Sequence, residues 1–243
     1  MRAAVILSGG TGVRAGGNIP KQYLMVGGKS VISYCLDTFL EKVEGQEEFG
    51  ALVITAAPEW RKEIEDYIAS KGGSGIFKGF ADPGKNRQLS IYNALLKLKG
   101  ICADQDYVMI HDAARPLLKR SHIEECFAAA SGRDGAMPFL PMKDTVYLSK
   151  DGKSITSLVK REEIVAGQAP EVFLYGKYLR ANEALLPDKI LSVKGSTEPA
   201  VLSGMDIALL PGDEGNYKLT TREDIERYKR SFADAQDDRG GAI

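Results

Sequence analysis

A short apolar run at residues 3–7 opens directly into the glycine-rich sequence SGGTGVR at residues 8–14, and PKQY follows at residues 20–23. The apolar run predicts a buried first strand. Glycines that follow a strand let backbone N–H groups approach an anion without interference from a Cβ atom. Arg14 adds a planar charged donor and Lys21 adds a point charge. This segment therefore predicts an α/β protein with a phosphate site at the end of its first strand.

The glycine loop differs from the two standard nucleotide-binding patterns. A Walker loop ends in Gly-Lys-Ser/Thr, whereas Gly12 is followed by Val13 and Arg14. The dinucleotide pattern needs a third glycine three residues after the second, and that position holds Ala15. A plain glycine turn with two solvated cations is the alternative interpretation of the segment.

Apolar runs alternate with helical periodicity up to residue 138. We predict strands at residues 3–7, 51–56, 107–111 and 135–138. We predict helices at residues 30–40, 58–69, 87–98 and 121–130, the last capped by Ser121. The alternation predicts an α/β fold with a doubly wound, mainly parallel (Rossmann-like) sheet covered on both faces. Ligands of such a sheet bind at the carboxyl ends of its strands.

The chain length of 243 residues fits one large α/β domain. We expect this domain to span residues 1–233. The sequence TTRE at residues 220–223 is a capping box that predicts a helix ending near Phe232. The polar residues 234–243 then predict a disordered tail.

Composition excludes several function classes. The net charge is −1, so no global field favours nucleic acid or a membrane surface, and no apolar run is long enough for a membrane span. The start of the chain has no signal-peptide pattern. Cys35, Cys102 and Cys126 are scattered and odd in number, which predicts reduced thiols in a cytoplasmic protein. His111 and His122 lack a cysteine at ligand spacing, which disfavours an imidazole metal site.

One segment departs from the alternation of strands and helices. Residues 145–148 and 155–159 flank the sequence KDGK and predict a β-hairpin that turns at Asp-Gly. Since an isolated hairpin is marginal in water, it needs a surface to pack against. We expect an arm at about residues 139–165 that joins two subunits as a homodimer. The alternative is a hairpin folded onto its own domain.

Three further clusters contain residues suited to binding anions. They are GKNRQLS at residues 84–90, HDAARP at residues 111–116, and Lys160-Arg161 together with Lys218. Each taken alone also fits an ordinary loop, a helix cap or a salt bridge. Neither a serine elbow nor a histidine triad is present in the sequence. Cations, glycines and one aspartate suit phosphoryl or nucleotidyl transfer, in which the protein positions reactants and neutralises charge.

In this order, the motifs resemble those of the cytidylyltransferases that act on 2-C-methyl-D-erythritol 4-phosphate or ribitol 5-phosphate. The resemblance covers about residues 2–230. Besides the glycine loop, PKQY and the segment at 84–90, it includes an unaltered HDAARP, Asp144-Thr145, Arg161, GQAP at 167–170 and NYKLT at 216–220. Any one of these motifs is weak evidence, and their shared order is what makes the resemblance strong.

The resemblance implies a Mg²⁺-dependent reaction in which a phosphate oxygen of a small polyol phosphate attacks the α-phosphorus of CTP. It implies catalytic roles for Arg14, Lys21 and Lys218. It implies a nucleotide site formed by Gly9, Gly10, Thr11, Gly12, Gly84, Arg87, Ser90, Asp112 and Ala113. Within this site Ser90 and the backbone around Gly84 would read cytosine, and Asp112 would lie near the ribose and Mg²⁺. It implies a polyol phosphate site formed by Thr145, Arg161, Ala169 and Lys218, with the first two on the dimer arm.

Four departures from the family pattern affect mainly the acceptor side. The sequence Ala169-Pro170-Glu171 stands where the family usually has Thr-Pro-Gln, and Ser196-Thr197 stands where it has Thr-Asp. Ala15 replaces a usual methionine near the nucleotide. A carboxylate at Glu171 would repel an incoming phosphate if it faced the site. CTP is therefore the firmer expectation of the two substrates.

The identity of the acceptor stays open at this point. We expect 2-C-methyl-D-erythritol 4-phosphate, as used for isoprenoid precursors. Ribitol 5-phosphate or another alditol phosphate for surface polysaccharide is the alternative. A nucleotidyltransferase that uses another base, such as UTP, is a further alternative. A non-catalytic homologue that only binds nucleotide is the alternative from another class.

Overall fold

The computed structural model describes residues 1–10, 19–44 and 48–240, with side chains described up to residue 232. The strands in these ranges are β1 (Arg2–Leu7), β2 (Met25–Val26), β3 (Lys29–Ser30), β4 (Ala51–Thr55), β5 (Phe77–Ala81), β6 (Tyr107–Asp112), β7 (Gly135–Pro141), β8 (Tyr147–Leu148), β9 (Ser157–Leu158), β10 (Val165–Gly167), β11 (Glu171–Leu174) and β12 (Ile207–Pro211).

The α-helices in the described ranges are α1 (Val31–Leu40), α2 (Pro58–Ser70), α3 (Arg87–Lys97), α4 (Arg120–Ala130), α5 (Tyr175–Glu183), α6 (Glu198–Leu202) and α7 (Arg222–Gly240). Short 3₁₀ turns lie at Lys21–Tyr23, Gly73–Gly75, Arg161–Glu163 and Lys189–Leu191.

The main sheet has the strand order β12-β7-β11-β6-β1-β4-β5, and β10 pairs with β7 on the same side as β11. β1 is parallel to both of its neighbours, β4 and β6. β11 runs antiparallel to β6 and to β7. The predicted α/β class and the mainly parallel sheet are confirmed. The sequence did not predict β5, β11, β12, α5 or α6.

The two faces of the sheet bury alternate residues of each central strand. Ala4 and Ile6 of β1 belong to a core layer that includes side chains of α1, α2 and α4. Ala3 and Val5 belong to the opposite layer, with side chains of α3 and α5. Because both faces are covered, β1 and β4 are apolar at successive positions, as parallel strands of this kind usually are. This coverage leaves the strand ends as the place for polar chemistry.

Two predicted helix starts are wrong in detail. α4 begins at Arg120, so Ser121 lies inside the helix and Lys119 precedes it. The capping box of α7 pairs Thr221 with Asp224 in place of Thr220 with Glu223. The Asp224 N–H donates to Thr221 Oγ1 at 3.1 Å, and the Thr221 N–H donates to Asp224 Oδ2 at 2.8 Å. α7 also continues to Gly240, beyond the end expected near Phe232.

The segment at residues 145–159, which interrupts the alternation of strands and helices, forms a β-hairpin. Each of its two strands is two residues long. Tyr147 lies opposite Leu158 in the β8–β9 pair. At its turn, Asp151 Oδ1 accepts hydrogen bonds from the N–H groups of Lys153 and Ser154, both at 2.9 Å. Gly152 has a φ of 68°, a left-handed conformation that favours glycine. The apolar side chains of this hairpin are largely exposed in the single chain.

No helix between residues 19 and 44, or between residues 48 and 240, is both long and apolar enough to cross a membrane.

Gly135→Ala should destabilise the fold. Gly135 opens β7 beside β11, and a Cβ atom there would lie 2.3 Å from the backbone oxygen of Val172. Because this oxygen belongs to a central strand, relief requires a backbone shift, and we expect a loss of about 1–3 kcal/mol. Urea unfolding followed by circular dichroism measures the difference. Gly75→Ala is the control, since a Cβ atom at Gly75 meets no described residue within 4 Å. Equal stability of the two variants would contradict the packing described for β7.

Candidate active site

Three strands end side by side at one edge of the sheet. In the register of β1 with its neighbours, Leu7 lies opposite Thr55 of β4 and opposite Asp112 of β6. The Ala113 N–H donates to the Leu7 carbonyl at 3.0 Å, so the chain beyond β6 stays next to the chain beyond β1. The glycine loop and the HDAARP segment therefore leave the sheet as neighbours, as the sequence predicts.

The PKQY motif holds the described start of the glycine loop, residues 8–10. Gln22 Nε2 donates to the carbonyls of Ser8 and Gly10, at 2.7 Å and 2.6 Å. The Tyr23 hydroxyl donates to the Ser8 carbonyl at 3.0 Å and accepts from the Ser8 hydroxyl at 2.7 Å. The sequence indicates only a charge role for this motif, through Lys21, and does not reveal the structural role of its glutamine and tyrosine.

Tyr23 is itself fixed by stacking. Its ring lies on Trp60 of α2, with the ring centroids 4.1 Å apart and the planes 11° from parallel. Burial raises the pKa of Tyr23 to about 12, so its hydroxyl remains a hydrogen-bond donor throughout the neutral range. The backbone of the loop is thus tied to α2 as well as to β1.

Two of the predicted glycines have a packing role. A Cβ atom at Gly9 would lie 2.6 Å from the side chain of Pro83, and one at Gly84 would lie 2.6 Å from Cβ of Leu89. The approach of Gly9 to Pro83 joins the loop after β1 to the loop before α3, and that of Gly84 to Leu89 packs the second loop against the first turn of α3. Among the described residues, none would lie within 4 Å of a Cβ atom at Gly10.

Thr11, Gly12 and Arg14 lie outside the described residues, so their predicted roles stay predictions. Lys21 begins the 3₁₀ turn Lys21–Tyr23, directly before the two residues that hold the loop.

The segment before α3 is organised by its own side chains. Asn86 caps the helix, because its Oδ1 accepts from the Leu89 N–H at 2.8 Å. The Ser90 hydroxyl accepts from the Gly84 N–H at 2.9 Å and donates to the Asn86 carbonyl at 3.0 Å. Ser90, predicted to read a base, therefore braces the loop backbone in this structure.

Asp112 joins three motifs that are far apart in the sequence. Arg87 Nε donates to Asp112 Oδ1 at 3.0 Å, and Lys218 Nζ donates to Asp112 Oδ2 at 2.9 Å. Arg115 Nε lies 3.8 Å from Asp112 Oδ2. The Leu219 N–H donates to the Ala114 carbonyl at 2.8 Å, which positions Lys218 beside this carboxylate. The structure thus brings together Arg87, Asp112 and Lys218, all of them predicted site residues.

The charge state of Asp112 follows from these partners. Burial alone would raise the pKa of Asp112, but the neighbouring cations Arg87 and Lys218 hold this pKa well below its usual range. The carboxylate is therefore ionised throughout the neutral range. His111, which directly precedes Asp112, is buried, and burial lowers its pKa to about 4. A neutral, enclosed imidazole of this kind is not placed to act as a general base.

Glu171 and Ser196 form a second set of contacts on Arg87. Arg87 Nη1 donates to Ser196 Oγ at 2.8 Å, and Ser196 Oγ donates in turn to Glu171 Oε1. Glu171 Oε2 lies 4.0 Å from Arg87 Nη2. Burial raises the pKa of Glu171, and the charge of Arg87 acts in the opposite direction. Glu171 and Ser196 are both positions at which we expected a departure from the family pattern. The sequence did not predict that both side chains lie beside Arg87.

Ala169 is tied to the site through the backbone. Its carbonyl accepts from Asn216 Nδ2 at 2.8 Å, and the Asn216 carbonyl accepts from Arg115 Nη1 at 2.6 Å. Gln168 Nε2 donates to the Asp213 carbonyl at 2.9 Å, and Gln168 Oε1 accepts from the Asp213 N–H at 3.0 Å. GQAP and NYKLT are therefore packed against each other and against HDAARP.

Thr145 and Arg161 lie apart from Asp112 and its partners. Both are exposed on the segment around the hairpin, and Arg161 Nη1 donates to the Lys143 carbonyl at 3.0 Å. Within residues 48–240, no hydrogen bond or ion pair links either side chain to Asp112 or to its partners. A single chain therefore does not bring these two predicted residues to the rest of the site.

The described residues place Asp112, at the end of β6, where a metal ion could contact its carboxylate. They contain no group of three or more His, Cys, Asp or Glu side chains that could hold one. Mg²⁺ is often bound by one or two carboxylates together with substrate phosphates. Asp112 fits such a partial site, provided that a metal ion replaces a cation now bound to it.

The family model described as 2-C-methyl-D-erythritol 4-phosphate cytidylyltransferase matches residues 2–230. The enzyme of that name from Thermotoga neapolitana is 32% identical over 226 residues, which cover 93% of this chain and 94% of the relative. A bifunctional enzyme IspD/IspF from Maricaulis maris is 33% identical over 235 residues, or 95% of this chain. The chain spans only 57% of the length of that bifunctional relative.

Solved structures show the same fold. The 4-diphosphocytidyl-2C-methyl-D-erythritol synthase of Anaerococcus prevotii superposes with a TM-score of 0.77 at 19% identity. The match covers 96% of this chain and 98% of that one. At this level of identity the likeness supports the architecture alone.

Asp112→Asn should destabilise the protein strongly near neutral pH. The substitution leaves Arg87, Arg115 and Lys218 without their shared counter-ion, and removing one partner of a buried charge cluster costs about 3–5 kcal/mol. The folded pKa of Asp112 lies below its unfolded value, so its contribution is complete above the unfolded pKa. We expect the stability gap to be constant from about pH 6 to 8 and to shrink below about pH 4.

Urea unfolding between pH 3 and pH 8 measures this gap. Asp206→Asn is the matched control, because Asp206 pairs with Arg133 on the surface at 3.0 Å. Its loss should cost at most about 1 kcal/mol. A gap for Asp112→Asn that equals the control, or that persists unchanged into acid, would contradict the pairing described for Asp112.

Proposed function

Because the chain belongs to the 2-C-methyl-D-erythritol 4-phosphate cytidylyltransferase family, we propose that it transfers the cytidylyl group of CTP to 2-C-methyl-D-erythritol 4-phosphate. Pyrophosphate is the second product, and the pathway served is isoprenoid precursor synthesis. The observation that carries the proposal is the junction at Asp112, which unites Arg87, Lys218 and the end of β6 beside the glycine loop.

The proposed reaction is an in-line displacement at phosphorus. A phosphate oxygen of the acceptor forms a bond to the α-phosphorus of CTP, while the bond from that phosphorus to the bridging oxygen breaks and pyrophosphate leaves. No covalent enzyme intermediate is needed. The protein contributes charge and position, since negative charge accumulates on the phosphoryl oxygens. Lys21 and Arg14 are proposed to bind the triphosphate at the glycine loop and to stabilise this charge.

The nucleotide is proposed to lie across the ends of β1 and β6. The backbone of the segment from Gly84 to Ser90 would contact the base, and Asp112 with Ala113 would face the ribose. The hydrogen bonds by which Gln22 holds the carbonyls of Ser8 and Gly10 support triphosphate binding there. Preformed N–H groups cost little reorganisation when the anion arrives.

Mg²⁺ is proposed as the metal, with Asp112 and the triphosphate oxygens as its ligands. When bound, it would neutralise charge on the phosphates. Lys218 must then leave Asp112 or share it, and its ammonium becomes available to an anionic substrate. Arg87 keeps the carboxylate oriented through its other oxygen.

The acceptor is proposed to lie between Lys218, Ala169 and an arm from a second subunit. The exposed apolar side chains Tyr147, Ile155 and Leu158 support a homodimer formed through residues 139–165. The separation of Thr145 and Arg161 from Asp112 within one chain also supports it, because a partner's arm could supply both side chains.

We also propose that residues 1–233 act as one catalytic domain in the cytoplasm, free of membrane and nucleic acid. The three cysteines, which are buried and unpaired, support a reducing compartment.

The direct test is an acceptor panel. The protein is incubated with CTP and Mg²⁺ and with 2-C-methyl-D-erythritol 4-phosphate or ribitol 5-phosphate, and pyrophosphate release is measured. UTP replaces CTP in a parallel series. We expect turnover with CTP and the methylerythritol phosphate at the highest kcat/KM. A preference for ribitol 5-phosphate or UTP, or nucleotide binding without turnover on either acceptor, would contradict the proposal.

Arg161→Ala should raise the KM for the polyol phosphate by about tenfold or more and leave the KM for CTP nearly unchanged, since it removes a charged contact to the acceptor alone. Arg180→Ala is the control, because Arg180 is an exposed arginine paired with Asp104 at 2.7 Å.

Mixing Arg161→Ala with Lys21→Ala subunits should give more activity than the sum of the two variants, since each mixed dimer would contain one intact site. A defect confined to CTP, or no gain on mixing, would contradict the shared site.

A further inference from the structure

The site contains more positive charge than Asp112 can balance. Three cations face this carboxylate, namely Arg87, Arg115 and Lys218. Glu171 is the second carboxylate beside the group, 4.0 Å from Arg87 Nη2. We call these five side chains the Asp112 cluster. With Glu171 ionised the cluster has one excess positive charge, and without it the excess would be two.

Glu171 acts on the cluster with little access to solvent. Its side chain is 10% exposed. Its Oε1 accepts from Ser196, whereas its Oε2 is enclosed and has no hydrogen-bond partner among the described residues. A ligand therefore cannot bind this oxygen unless the site rearranges. The influence of Glu171 on a ligand is electrostatic, and it also passes through Ser196 to the orientation of Arg87.

The strength of this influence follows from burial. A unit charge in a partly buried site acts over several ångströms and is screened less than a surface charge. An excess of positive charge attracts any small phosphate dianion, whether or not it carries a polyol. When Glu171 lowers the excess charge of the cluster from two to one, it weakens this unselective attraction. A larger share of the free energy of acceptor binding then comes from contacts to the polyol.

We propose that Glu171 is a specificity-determining and positioning residue, which limits binding of free phosphate-type dianions at the Asp112 cluster while it holds Arg87 against Asp112. This inference rests on the proposed function in naming the acceptor side as the affected site.

Two substitutions separate charge from shape. Glu171→Gln keeps an acceptor oxygen for Ser196 and removes only the charge. Glu171→Asp keeps the charge on a shorter side chain. Asp206→Asn is the matched control for loss of a paired carboxylate elsewhere on the chain. Glu171→Met, of similar volume and apolar, serves if the glutamine variant does not fold, since apolar replacement of buried ionic groups is often tolerated.

The experiment is a calorimetric titration of inorganic phosphate into each folded protein at pH 8 and low salt, without nucleotide. We expect Glu171→Gln, or Glu171→Met in its place, to bind phosphate about tenfold more tightly than the unaltered protein. Glu171→Asp and Asp206→Asn should stay within about twofold of it, because the first keeps the charge and the second lies outside the cluster. Phosphate binding by Glu171→Gln and Glu171→Met no tighter than that of the unaltered protein would overturn the proposal, as would an equal gain in Asp206→Asn.

Turnover supplies the second readout. In the pyrophosphate assay, Glu171→Gln should make inorganic phosphate a stronger competitor of the acceptor, with the KM for CTP changed much less. A purely structural role would alter kcat and both KM values together, and that result would contradict the positioning role. If no acceptor is turned over, the proposed function fails, whereas the phosphate titration still decides whether Glu171 limits anion binding.

Discussion

The arrangement of the site depends on one buried carboxylate. Asp112 lies at the end of a central parallel strand, and its two oxygens are bonded to Arg87 and Lys218. A buried charge is costly unless it is paired and hydrogen-bonded, so the positions of its partners are constrained together with its own. The partners come from the start of α3 and from the segment before α7. Asp112 therefore fixes the relation between segments that the sequence separates by more than a hundred residues.

The described start of the glycine loop, residues 8–10, is held by a different kind of interaction. Neutral hydrogen bonds from Gln22 and Tyr23 reach the carbonyls of Ser8 and Gly10, and Trp60 stacks on Tyr23. These contacts use carbonyl groups, and so they restrict these residues without occupying the N–H donors that a phosphate needs. A site for a highly charged ligand gains from such rigidity, because little reorganisation is then required on binding.

The sequence predicted β1, β4 and β6 well, but it missed β11 between β6 and β7 and the edge strands β5 and β12. Residues 3–7 of β1, 51–54 of β4 and 108–110 of β6 are uninterrupted apolar runs, since both faces of these strands are covered, and such runs can be recognised without a structure. β5 contains a lysine and a glycine, and β11 is four residues long and begins with Glu171, so neither has a strong pattern. The early end expected for α7 has a similar cause, since residues after Phe232 are polar and show no apolar face.

The candidate site could be predicted in outline, because strand–loop–helix order places Gly10, Gly84 and Asp112 at one edge of the sheet. The partners of the side chains could not. The hydrogen bond of Ser90 to Gly84 depends on the conformation of one loop, and the sharing of Arg87 between Asp112 and Ser196 depends on packing between elements distant in sequence. The same holds for Glu171, whose effect on the cluster depends on its distance to Arg87 and not on its neighbours in the chain. The acceptor side is thus the part in which local sequence was least informative.

The most direct measurement is a crystal structure of the protein with a non-hydrolysable CTP analogue and Mg²⁺. We expect the triphosphate to lie against the glycine loop and Lys21, and the base to lie at the segment before α3. We expect Arg87 to remain bonded to Asp112, and Lys218 to have left Asp112 or to share it with the ligand. A nucleotide bound elsewhere, or one bound with the Arg87–Asp112 pair broken and the glycine loop empty, would contradict this account.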